Sequence, residues 1–412
     1  MEQVLYQLPD GWKWLKLGDV CSKVTDGSHN PPRAVEGGLP MLSSRNVQDN
    51  GLLWENFRLI PEDAFENEHK RTRITEGDVL LTIVGTIGRS CVIRGLDRLF
   101  TLQRSVAVLS PEQLISEFLC YQLKAPFIQE YFSNNAKGSA QKGIYLNQLK
   151  STYLVCPPIV EQKRIVKKLD ALLTRTDAVI KHLQENLTLA NALYASELNE
   201  IFPSDANIEA LSNKDGWISL SDVCTFENGD RGKNYPSKSA FVVEGIPVVS
   251  AGNLGERYIE HKGLNYIAQD RYDLLRSGRI KIGDILFCLR GSLGKVAISK
   301  DIDEGVIASS LVIVRPKENI LAEYAYKYLK SSLCHQFISY YNNGAAQPNL
   351  SAKSLGKFML PLPSIEQQKE IIEGLDKKYQ LNQNLIGALS SKIDSLQDLK
   401  ASILDAAFKG EL

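Results

Sequence analysis

Two long segments of the chain repeat apolar residues at alternating spacings of three and four. This is the spacing of a coiled-coil seam, in which one stripe of each helix faces a partner helix. The matching positions of the two segments lie 206 residues apart, and they are Val166, Leu169, Leu173, Thr176, Ile180, Leu183 and Leu187 in the first and Ile372, Leu375, Tyr379, Asn382, Ile386, Leu389 and Ile393 in the second. The pattern predicts two helices that pack on each other, with a polar layer from Thr176 and its counterpart Asn382. The alternative is that each helix packs only on its own domain.

Short apolar runs of strand length precede each helical segment. They include "VLLTIV" at 79–84 and "ILFCL" at 285–289, and Gly, Pro and Asn turns surround them. Each run is followed by a stretch with helical spacing, at 116–132 and at 322–341. The pattern therefore predicts a compact α/β domain ahead of each long helix.

The whole chain is an internal duplication of a unit of about 206 residues. The paired segments are "LGDVC" and "LSDVC", "GLPMLSSRNV" and "GIPVVSAGNL", "EGDVLLTIVGTIG" and "IGDILFCLRGSLG", and "PPIVEQKRIV" and "LPSIEQQKEII". The predicted fold class is α+β, with two α/β domains separated by two long helices that form an antiparallel coiled coil with an internal pseudo-twofold repeat. The predicted boundaries are 1–156 for the first domain, 157–201 for its helix, 202–360 for the second domain and 361–412 for its helix.

Composition and charge narrow the class of protein only a little. The chain is 43% hydrophobic and 23% charged, as expected for a globular protein. It has no apolar run of membrane-spanning length and no leader-like N-terminus, so we expect a cytoplasmic protein. Lysine plus arginine equals aspartate plus glutamate, at 48 each, which argues mildly against a free-standing nucleic-acid binder. It leaves open a DNA reader that shares its grip with a partner.

Candidate catalytic motifs fail on inspection. Asn30-Pro31-Pro32 resembles the adenine-methylating Asn-Pro-Pro-aromatic motif, but Arg33 stands where the ring that stacks on a flipped base belongs. The glycines of 85–88 and 291–294 follow strand-like runs without forming the Gly-x-Gly of a cofactor loop. The seven cysteines and five histidines show no metal or disulfide spacing, and we expect the cysteines in the core. Asn-Pro-Pro is therefore interpreted as turn chemistry.

Taken together, the paired segments resemble the DNA-specificity subunit of type I restriction–modification enzymes. "GSAQKGIYLNQL" and "GAAQPNLSAKSL", the Pro-x-x-Glu-Gln helix starts, "NGDRGKNYP" and "DGSHNPP" add to that resemblance, which covers nearly all of the chain. No single motif is diagnostic, but the paired order is specific.

The resemblance implies a non-catalytic subunit in which each domain recognises one half of a split, asymmetric DNA sequence. It implies that the long helices act as a spacer and dock two adenine-N6 methyltransferase subunits, through which restriction and translocase subunits assemble. The expected cofactors, S-adenosylmethionine, ATP and Mg, then belong to those partners and none to this chain. The implied partners are double-stranded DNA and these subunits. The resemblance implies no membrane association and no catalytic or metal site in this chain.

Candidate DNA-binding residues are polar or basic side chains in the predicted loops, since such groups contact phosphates and base edges. They are Ser28, His29, Ser44, Arg45, Asn46, Lys137, Gln141 and Lys142 in the first domain and Arg231, Lys233, Asn234, Tyr235, Asn253, Arg290 and Gln347 in the second. Positions that differ between the two units are the better candidates, because the two half-sites normally differ.

Two other functions stay open. One is a bivalent protein-interaction scaffold with two heads on a coiled coil, which the zero net charge favours slightly. The other is the specificity subunit of a fused, type II-like system, in which one partner both methylates and cleaves.

Overall fold

The computed structural model describes residue 3 and residues 5–138, 141–204, 207–230, 238–342 and 349–412. The chain divides into two compact units, of which the first comprises Met1–Gln184 with Ser391–Leu412 and the second Glu185–Ser390. Each unit contains a mixed α/β domain and parts of both long helices. The predicted fold class, with two α/β domains and two long packed helices, is confirmed.

The first unit is built on a four-stranded antiparallel sheet and a smaller three-stranded sheet. Its strands are β1 (Lys13–Lys16), β2 (Cys21–Asp26), β3 (Leu39–Leu42), β4 (Val47–Gln48), β5 (Gly51–Leu52), β6 (Arg58–Ile60), β7 (Val79–Thr82), β8 (Ser90–Val92), β9 (Thr101–Leu102), β10 (Val106–Pro111) and β11 (Tyr153–Cys156). Its helices are α1 (Leu17–Val20), α2 (Glu62–Thr72), α3 (Ser116–Lys124), α4 (Pro126–Asn135), α5 (Leu146–Lys150) and the first part of α6 (Ile159–Ile201). The larger sheet has the order β2-β10-β7-β8, the smaller one β6-β3-β9 with β3 and β9 parallel.

The second unit repeats this plan. Its strands are β12 (Trp217–Ser219), β13 (Cys224–Asn228), β14 (Phe241–Val242), β15 (Ile246–Val249), β16 (Asn265–Ile267), β17 (Arg279–Ile280), β18 (Ile285–Cys288), β19 (Val296–Ile298), β20 (Gly305–Ile307), β21 (Leu311–Pro316) and β22 (Met359–Pro361). Its helices are α7 (Leu220–Val223), α8 (Gln269–Asp273), α9 (Ala322–Lys330), α10 (Ser332–Tyr341), α11 (Ala352–Gly356) and the first part of α12 (Ile365–Lys409), with short 3-10 turns at Ile208–Asn213, Lys238–Ala240 and Ala251–Asn253. The sheet β13-β21-β18-β19 matches the larger sheet of the first unit, and β15 pairs with β20 in parallel as β3 does with β9.

The central strands lie between two apolar layers, which explains their unbroken hydrophobic runs. In β7, Val79 and Leu81 face the helices, whereas Leu80 faces the smaller sheet. In β18, Ile285 and Phe287 face the helices, whereas Leu286 faces the sheet that contains β15 and β20. Successive side chains of a strand point to opposite faces, so a strand covered on both sides needs apolar residues at every position.

The two long helices pack antiparallel within each unit. In the first unit Lys400 of α12 pairs with Asp177 of α6, and in the second the Asn382 side chain donates to the Ala190 carbonyl at 2.9 Å. All predicted seam positions are buried or half-buried, while most residues between them are exposed. The end of α12 also reaches the core of the first unit, where the Phe408 ring lies 5.3 Å from that of Phe118.

A buried glutamine at the start of each long helix fastens the helix to its domain. The Gln162 amide accepts from the Ile115 backbone N–H at 2.9 Å and donates to the Gln113 and Pro157 carbonyls. Gln368 repeats these three contacts in the second unit, with Leu321, Asn319 and Pro363. Both side chains are fully buried. In both units this glutamine stands five residues after the proline whose carbonyl it bonds, Pro157 or Pro363, so the repeated start of the long helix encodes a helix-to-domain clasp.

The cysteines and the repeated Gly-Asp pairs have structural roles. Asp78 and Asp284 are buried and accept from the backbone N–H groups of Thr75 and Lys281, which closes the turn into β7 and β18. All seven cysteines are free thiols, six of them buried and Cys156 half-buried. Burial raises the pKa of Cys21, Cys91 and Cys224 to about 12, so these thiols stay protonated and unreactive.

Candidate nucleic-acid interface

Five loops of the first unit meet at one edge of its sheets. The backbone of Ser28 pairs with Gln103, whose N–H donates to the Leu42 carbonyl. The Ser44 N–H donates to the Ser105 hydroxyl at 3.0 Å, and the Gly85 N–H donates to the Lys142 carbonyl. Together with a bond from the Ile83 N–H to the Ser105 carbonyl, these bonds connect the loops 27–38, 43–46, 83–89, 103–105 and 136–145. Sequence-distant segments are therefore held together mainly through backbone groups.

The loop 43–46 is built on a Ser-x-x-Asn turn that the second unit repeats. The side-chain carbonyl oxygen of Asn46 accepts from the backbone N–H and the hydroxyl of Ser43. The side-chain NH₂ group of Asn46 donates to the backbone carbonyls of Leu53 and Glu55. Ser250 and Asn253 form the same turn, with Oδ1 of the asparagine 2.7 Å from the serine hydroxyl. The two positions inside the turn differ between the units, with Ser-Arg at 44–45 and Ala-Gly at 251–252.

The asparagine that recurs in both of these turns therefore belongs to the scaffold. Asn46 is fully buried, and both the NH₂ group and the carbonyl oxygen of its side chain are hydrogen-bonded within the protein. Asn253 is likewise buried and bonded to Ser250. Ser28 is buried too, and its hydroxyl donates to Glu68 at 2.9 Å. Although the sequence suggested all three as DNA contacts, we assign them to positioning the loops, because a base edge cannot reach them.

The Gly-x-x-Gly turn and the 137–143 hairpin flank the Ser-x-x-Asn turn. Gly85 and Gly88 both have positive φ, of 82° and 95°, which side chains rarely adopt. A Cβ on Gly88 would also lie 2.2 Å from Gln129 Oε1. Lys137 and Gly143 exchange backbone hydrogen bonds, and Gly143 pairs with Val84. The turn is thus a fixed part of the loop edge, and the glycines serve its backbone geometry.

An open groove lies where these loops meet. Its lining, which we call the loop groove, consists of Ala34, Ser43, Ser44, Arg45, Asn56, Phe57, Arg58, Val84, Gly85, Gln103, Ser105 and Gln141. The predicted candidates Ser44, Arg45 and Gln141 are brought together here. Arg45 and Gln141 are exposed, and among the described residues the Arg45 guanidinium forms no ion pair.

The remaining candidates of the first unit lie around the loop groove. Lys137 and Lys142 are exposed on the hairpin that borders it. The His29 ring lies 2.8 Å from Asp26, which also pairs with Arg71. His29 therefore has a protein partner, although its side chain remains half-exposed at 54%.

Sequence reasoning missed Gln103, Arg104 and Ser105, which form the centre of the loop edge. Gln103 and Ser105 line the groove, and Arg104 is exposed beside them. A signal was available, because the matching segment of the second unit reads Ala-Ser-Ser at 308–310. Backbone hydrogen bonds establish the match, since the N–H groups of Gln103 and Ala308 donate to the carbonyls of Leu42 and Val249 respectively.

Charge is concentrated at the loop edge of the first unit. The five loops contain six basic residues and one acidic residue, Glu36; the basic residues are Arg33, Arg45, Arg89, Arg104, Lys137 and Lys142. This local excess of five positive charges contrasts with the zero net charge of the whole chain. Such an excess favours a polyanion such as nucleic acid at this edge.

Asn30-Pro31-Pro32 belongs to the same edge and has a structural role. The Arg58 guanidinium donates to the Pro32 carbonyl at 2.7 Å and lies 3.5 Å from the Pro31 carbonyl. The prolyl carbonyls are therefore occupied within the protein. This agrees with the interpretation of the segment as a loop.

The second unit forms the corresponding edge, of which a part is described. Arg290 is exposed after β18, pairs through its backbone with Asn349, and donates through its guanidinium to the Ser309 carbonyl at 3.0 Å. Lys295 donates to the Ala251 carbonyl at 3.1 Å. Four predicted candidates from residues 231–235, together with Gln347, lie outside the described residues; the four are Arg231, Lys233, Asn234 and Tyr235.

Two other kinds of site are absent from the part of the chain that the structure describes. Within the described part of the chain, no group of three or more His, Cys, Asp or Glu side chains is arranged to hold a metal ion. The described helices also include none with the length and hydropathy needed to cross a membrane.

Solved structures show the same fold. A chain solved in work on complex assembly and conformational transition of the type I R-M system superposes with a TM-score of 0.78 at 22% identity, covering 99% of this chain and all of that one. The HsdS subunit from Thermoanaerobacter tengcongensis gives a TM-score of 0.57 at 22% identity, with both chains fully covered.

Sequence relatives agree with the fold. The EcoKI specificity subunit of Escherichia coli K12 is 21% identical over 98% of this chain and 90% of its own length. The MjaVIII specificity subunit of Methanocaldococcus jannaschii is 22% identical over 98% of this chain and 94% of its own length. The family described as "Type I restriction modification DNA specificity domain" matches twice, over residues 9–189 and 215–394. These two matches cover most of both units, and the chain therefore belongs to the family of type I restriction–modification DNA-specificity proteins.

Proposed function

We propose that this chain is a non-catalytic subunit that recognises a split, asymmetric DNA sequence, one half with each unit. The observation that carries the proposal is the pair of Ser-x-x-Asn turns, which hold the same backbone in both units but display Ser-Arg in one and Ala-Gly in the other. Two equal scaffolds with different displayed side chains suit two different half-sites. A split, asymmetric target is what such a pair would select.

In the first unit we assign DNA contacts to the groups that face the loop groove. Arg45 and Arg104 are exposed arginines, and arginine contacts guanine edges or phosphates. Gln103 and Gln141 provide amides that suit adenine. Lys137 and Lys142 border the groove, where ammonium groups contact phosphates. In the second unit we assign a DNA contact to Arg290, which is exposed after β18.

Chemistry on DNA would then be carried out by partner subunits. We propose that methyltransferase subunits bring S-adenosylmethionine and methylate adenine, and that ATP and Mg belong to restriction or translocase subunits joined through them. The prolyl carbonyls of Asn30-Pro31-Pro32 are bonded to Arg58, which supports a non-catalytic role for that segment.

The long helices offer an apolar surface for such a partner. In the second unit four leucines remain exposed beside the seam: Leu189 and Leu193 on α6, at 69% and 45%, and Leu381 and Leu385 on α12, at 60% and 46%. The bond from Asn382 to Ala190 sets a register in which Leu189 and Leu385, and likewise Leu193 and Leu381, lie within about two residues of the same level. A cluster of exposed leucines is typical of a protein-binding surface. We propose that a methyltransferase subunit docks here.

Methylation profiling tests the proposal. The chain is co-expressed with its methyltransferase subunit, and methylated adenines are mapped across a host genome. Wild type should methylate one split sequence, and exchanging residues 1–156 for the matching domain of a relative should change one half-site and preserve the other. A change in both halves, or methylation independent of this chain, would refute bipartite recognition. The isolated chain should bind DNA weakly, since its net charge is zero.

Docking is tested separately on the leucines. Leu381→Glu with Leu385→Glu should weaken methyltransferase binding measured by analytical ultracentrifugation, because burying two carboxylates is costly. Ser391→Glu, at an exposed position of the same helix outside the leucine cluster, is the matched control for helix stability. A double variant that melts like wild type and still binds with full affinity would remove the leucine surface from the proposal.

The bivalent scaffold and the fused system predict different results. A scaffold without a DNA role would give no chain-dependent methylation. A fused system would show one partner polypeptide that both methylates and cleaves.

A further inference from the structure

A second cavity in the first unit, separate from the loop groove, opens beside α6. We call it the α6 cleft; it has a volume of about 550 Å³. Its walls are the β4–β5 hairpin, the segment 91–100, one face of α3, and Asp170 with Thr174 of α6. It shares no lining residue with the loop groove. The proposed DNA contacts therefore leave this cavity unexplained.

The second unit has the same framework, but there its own chain fills the space. The hairpins correspond residue by residue, because Val47 pairs with Leu52 as Leu254 pairs with Ile259. In this alignment Asn50 matches Arg257, and the following glycine matches a tyrosine. The tip of one hairpin thus carries an arginine and an aromatic ring where the other carries Asn-Gly.

Arg257 uses that position to join two elements. Its guanidinium lies 2.9 Å from a carboxylate oxygen of Glu323 on α9 and 2.9 Å from one of Asp376 on α12. Tyr258 follows it and lies under the Arg257 and Lys300 side chains, at 5.5 and 5.1 Å from its ring centre. A planar guanidinium with several donors suits such a bridge between two carboxylates.

The first unit keeps the two carboxylates but has no arginine at the tip of its hairpin. Glu117 on α3 and Asp170 on α6 stand 206 residues before Glu323 and Asp376. Glu117 is paired at 2.9 Å with Arg94, which is 71% exposed, and Asp170 accepts from the Tyr121 hydroxyl at 2.5 Å. Both acidic groups border the open cavity.

We propose that the α6 cleft receives an arginine side chain presented by the methyltransferase subunit, between Glu117 and Asp170. This rests on the proposed function for the identity of the partner. A peptide segment fits better than a free cation, since the equivalent space in the second unit is filled by a hairpin tip. Trp54 lines the cleft, and the Arg98 guanidinium lies 5.6 Å from its ring centre. The two units would then differ in how they assemble, one supplying its own arginine and the other accepting a foreign one.

The cleft itself is tested with N-acetyl-L-arginine amide as the probe. Nuclear magnetic resonance of the indole N–H of Trp54 reports binding, and N-acetyl-L-lysine amide is the chemical control. We expect a saturable shift with the arginine probe and a weaker one with lysine. Asn50→Arg, which gives the first unit the residue of the second, should abolish the shift, as should Glu117→Gln with Asp170→Asn. An absent shift, or equal shifts with both probes, would overturn the arginine site.

The partner is tested with the methyltransferase subunit and the full chain. Asn50→Arg should lower the affinity by about tenfold, corresponding to about 1.4 kcal/mol, while Asn50→Ser should bind like wild type. If Asn50→Arg lowers the melting temperature, the Glu117→Gln, Asp170→Asn variant decides instead. Wild-type binding that neither variant weakens overturns the inference while the proposed function stands. Failure of wild type to bind any methyltransferase overturns the proposed function and this choice of partner, whereas the arginine-probe result still judges the cleft.

Discussion

Removing one clasp glutamine should loosen one long helix from its domain and leave the other unit intact. Gln162 makes three hydrogen bonds from a fully buried position, including one from the Ile115 N–H at 2.9 Å. Gln162→Ala leaves that N–H and two carbonyls without their partner. An unsatisfied buried donor costs about 1–3 kcal/mol, and loss of the packed side chain adds to it, so we expect about 2–4 kcal/mol.

Hydrogen exchange measures this effect locally, which matters because a chain of two compact units need not unfold in one step. The Ile115 amide should exchange at least about tenfold faster in Gln162→Ala, as expected for a loss above about 1.4 kcal/mol. The Leu321 amide, which Gln368 protects, should not change, and Gln368→Ala should give the reverse pattern. Lys163→Ala, at an exposed neighbouring position, is the matched control. Unchanged protection of Ile115 in a folded Gln162→Ala variant would refute the clasp.

The pH dependence of a Gln162→Glu variant tests whether the NH₂ group of Gln162 acts as a hydrogen-bond donor. The new carboxyl would face the carbonyls of Gln113 and Pro157, which now accept from the glutamine NH₂ group. Burial and these acceptors should raise its folded-state pKa above its unfolded value of about 4.3. The variant should therefore be least stable at neutral pH and recover relative to wild type as the pH falls through the raised pKa. A deficit independent of pH would contradict this account of the amide donors.

Three further predictions concern the seam, the DNA edge and the thiols. Asn382→Leu should raise the melting temperature, because Asn382 Oδ1 is buried with no partner among the described residues and only its NH₂ group is bonded, to Ala190; a lower melting temperature would show that the Ala190 bond dominates. Arg45→Gln should weaken DNA binding by the assembled complex, and an unchanged half-site with a salt slope reduced by about one would identify a phosphate contact, whereas relaxed specificity would identify a base contact. The buried thiols should resist alkylation at pH 8 in the folded chain, and since burial raises the pKa of Cys21 and Cys91 to about 12, stability should fall as the pH rises past their unfolded pKa of about 8.5. Rapid alkylation without unfolding would contradict this assignment.

The fold could be predicted from sequence because its signals are periodic and occur twice. The seam spacing shows the long helices, and the 206-residue offset shows that two units share one plan. Burial on both faces leaves a plain signature in β7 and β18, which are apolar at nearly every position. The clasp was visible only as a glutamine repeated 206 residues apart, since its partners at 113 and 115 lie 49 and 47 residues away in sequence. Periodicity reveals an element, but it does not reveal which distant backbone groups that element satisfies.

The candidate interface was harder to predict because scaffold and display residues look alike in sequence. Asn46 and Arg45 are adjacent polar residues in one loop, yet Asn46 is fully buried and Arg45 is exposed. The repeat separates them, since Asn46 recurs as Asn253 while Arg45 is replaced by Gly252. The same comparison applied to 103–105 would have found Gln103 and Arg104. Identity between units indicates structure, and difference indicates display.

Charge shows why averages over the chain misjudge a site of this kind. Equal numbers of basic and acidic residues argued against nucleic acid, yet the loops at one edge of the first unit hold six basic residues to one acidic. Screening in salt limits the influence of exposed charges to about 8–10 Å, so a bound phosphate responds to its neighbouring loops and hardly to the rest of the chain. We therefore expect the basic edge, and not the total charge of the chain, to supply the local electrostatic part of DNA binding. We propose that the rest of the affinity comes from base contacts and from a partner subunit.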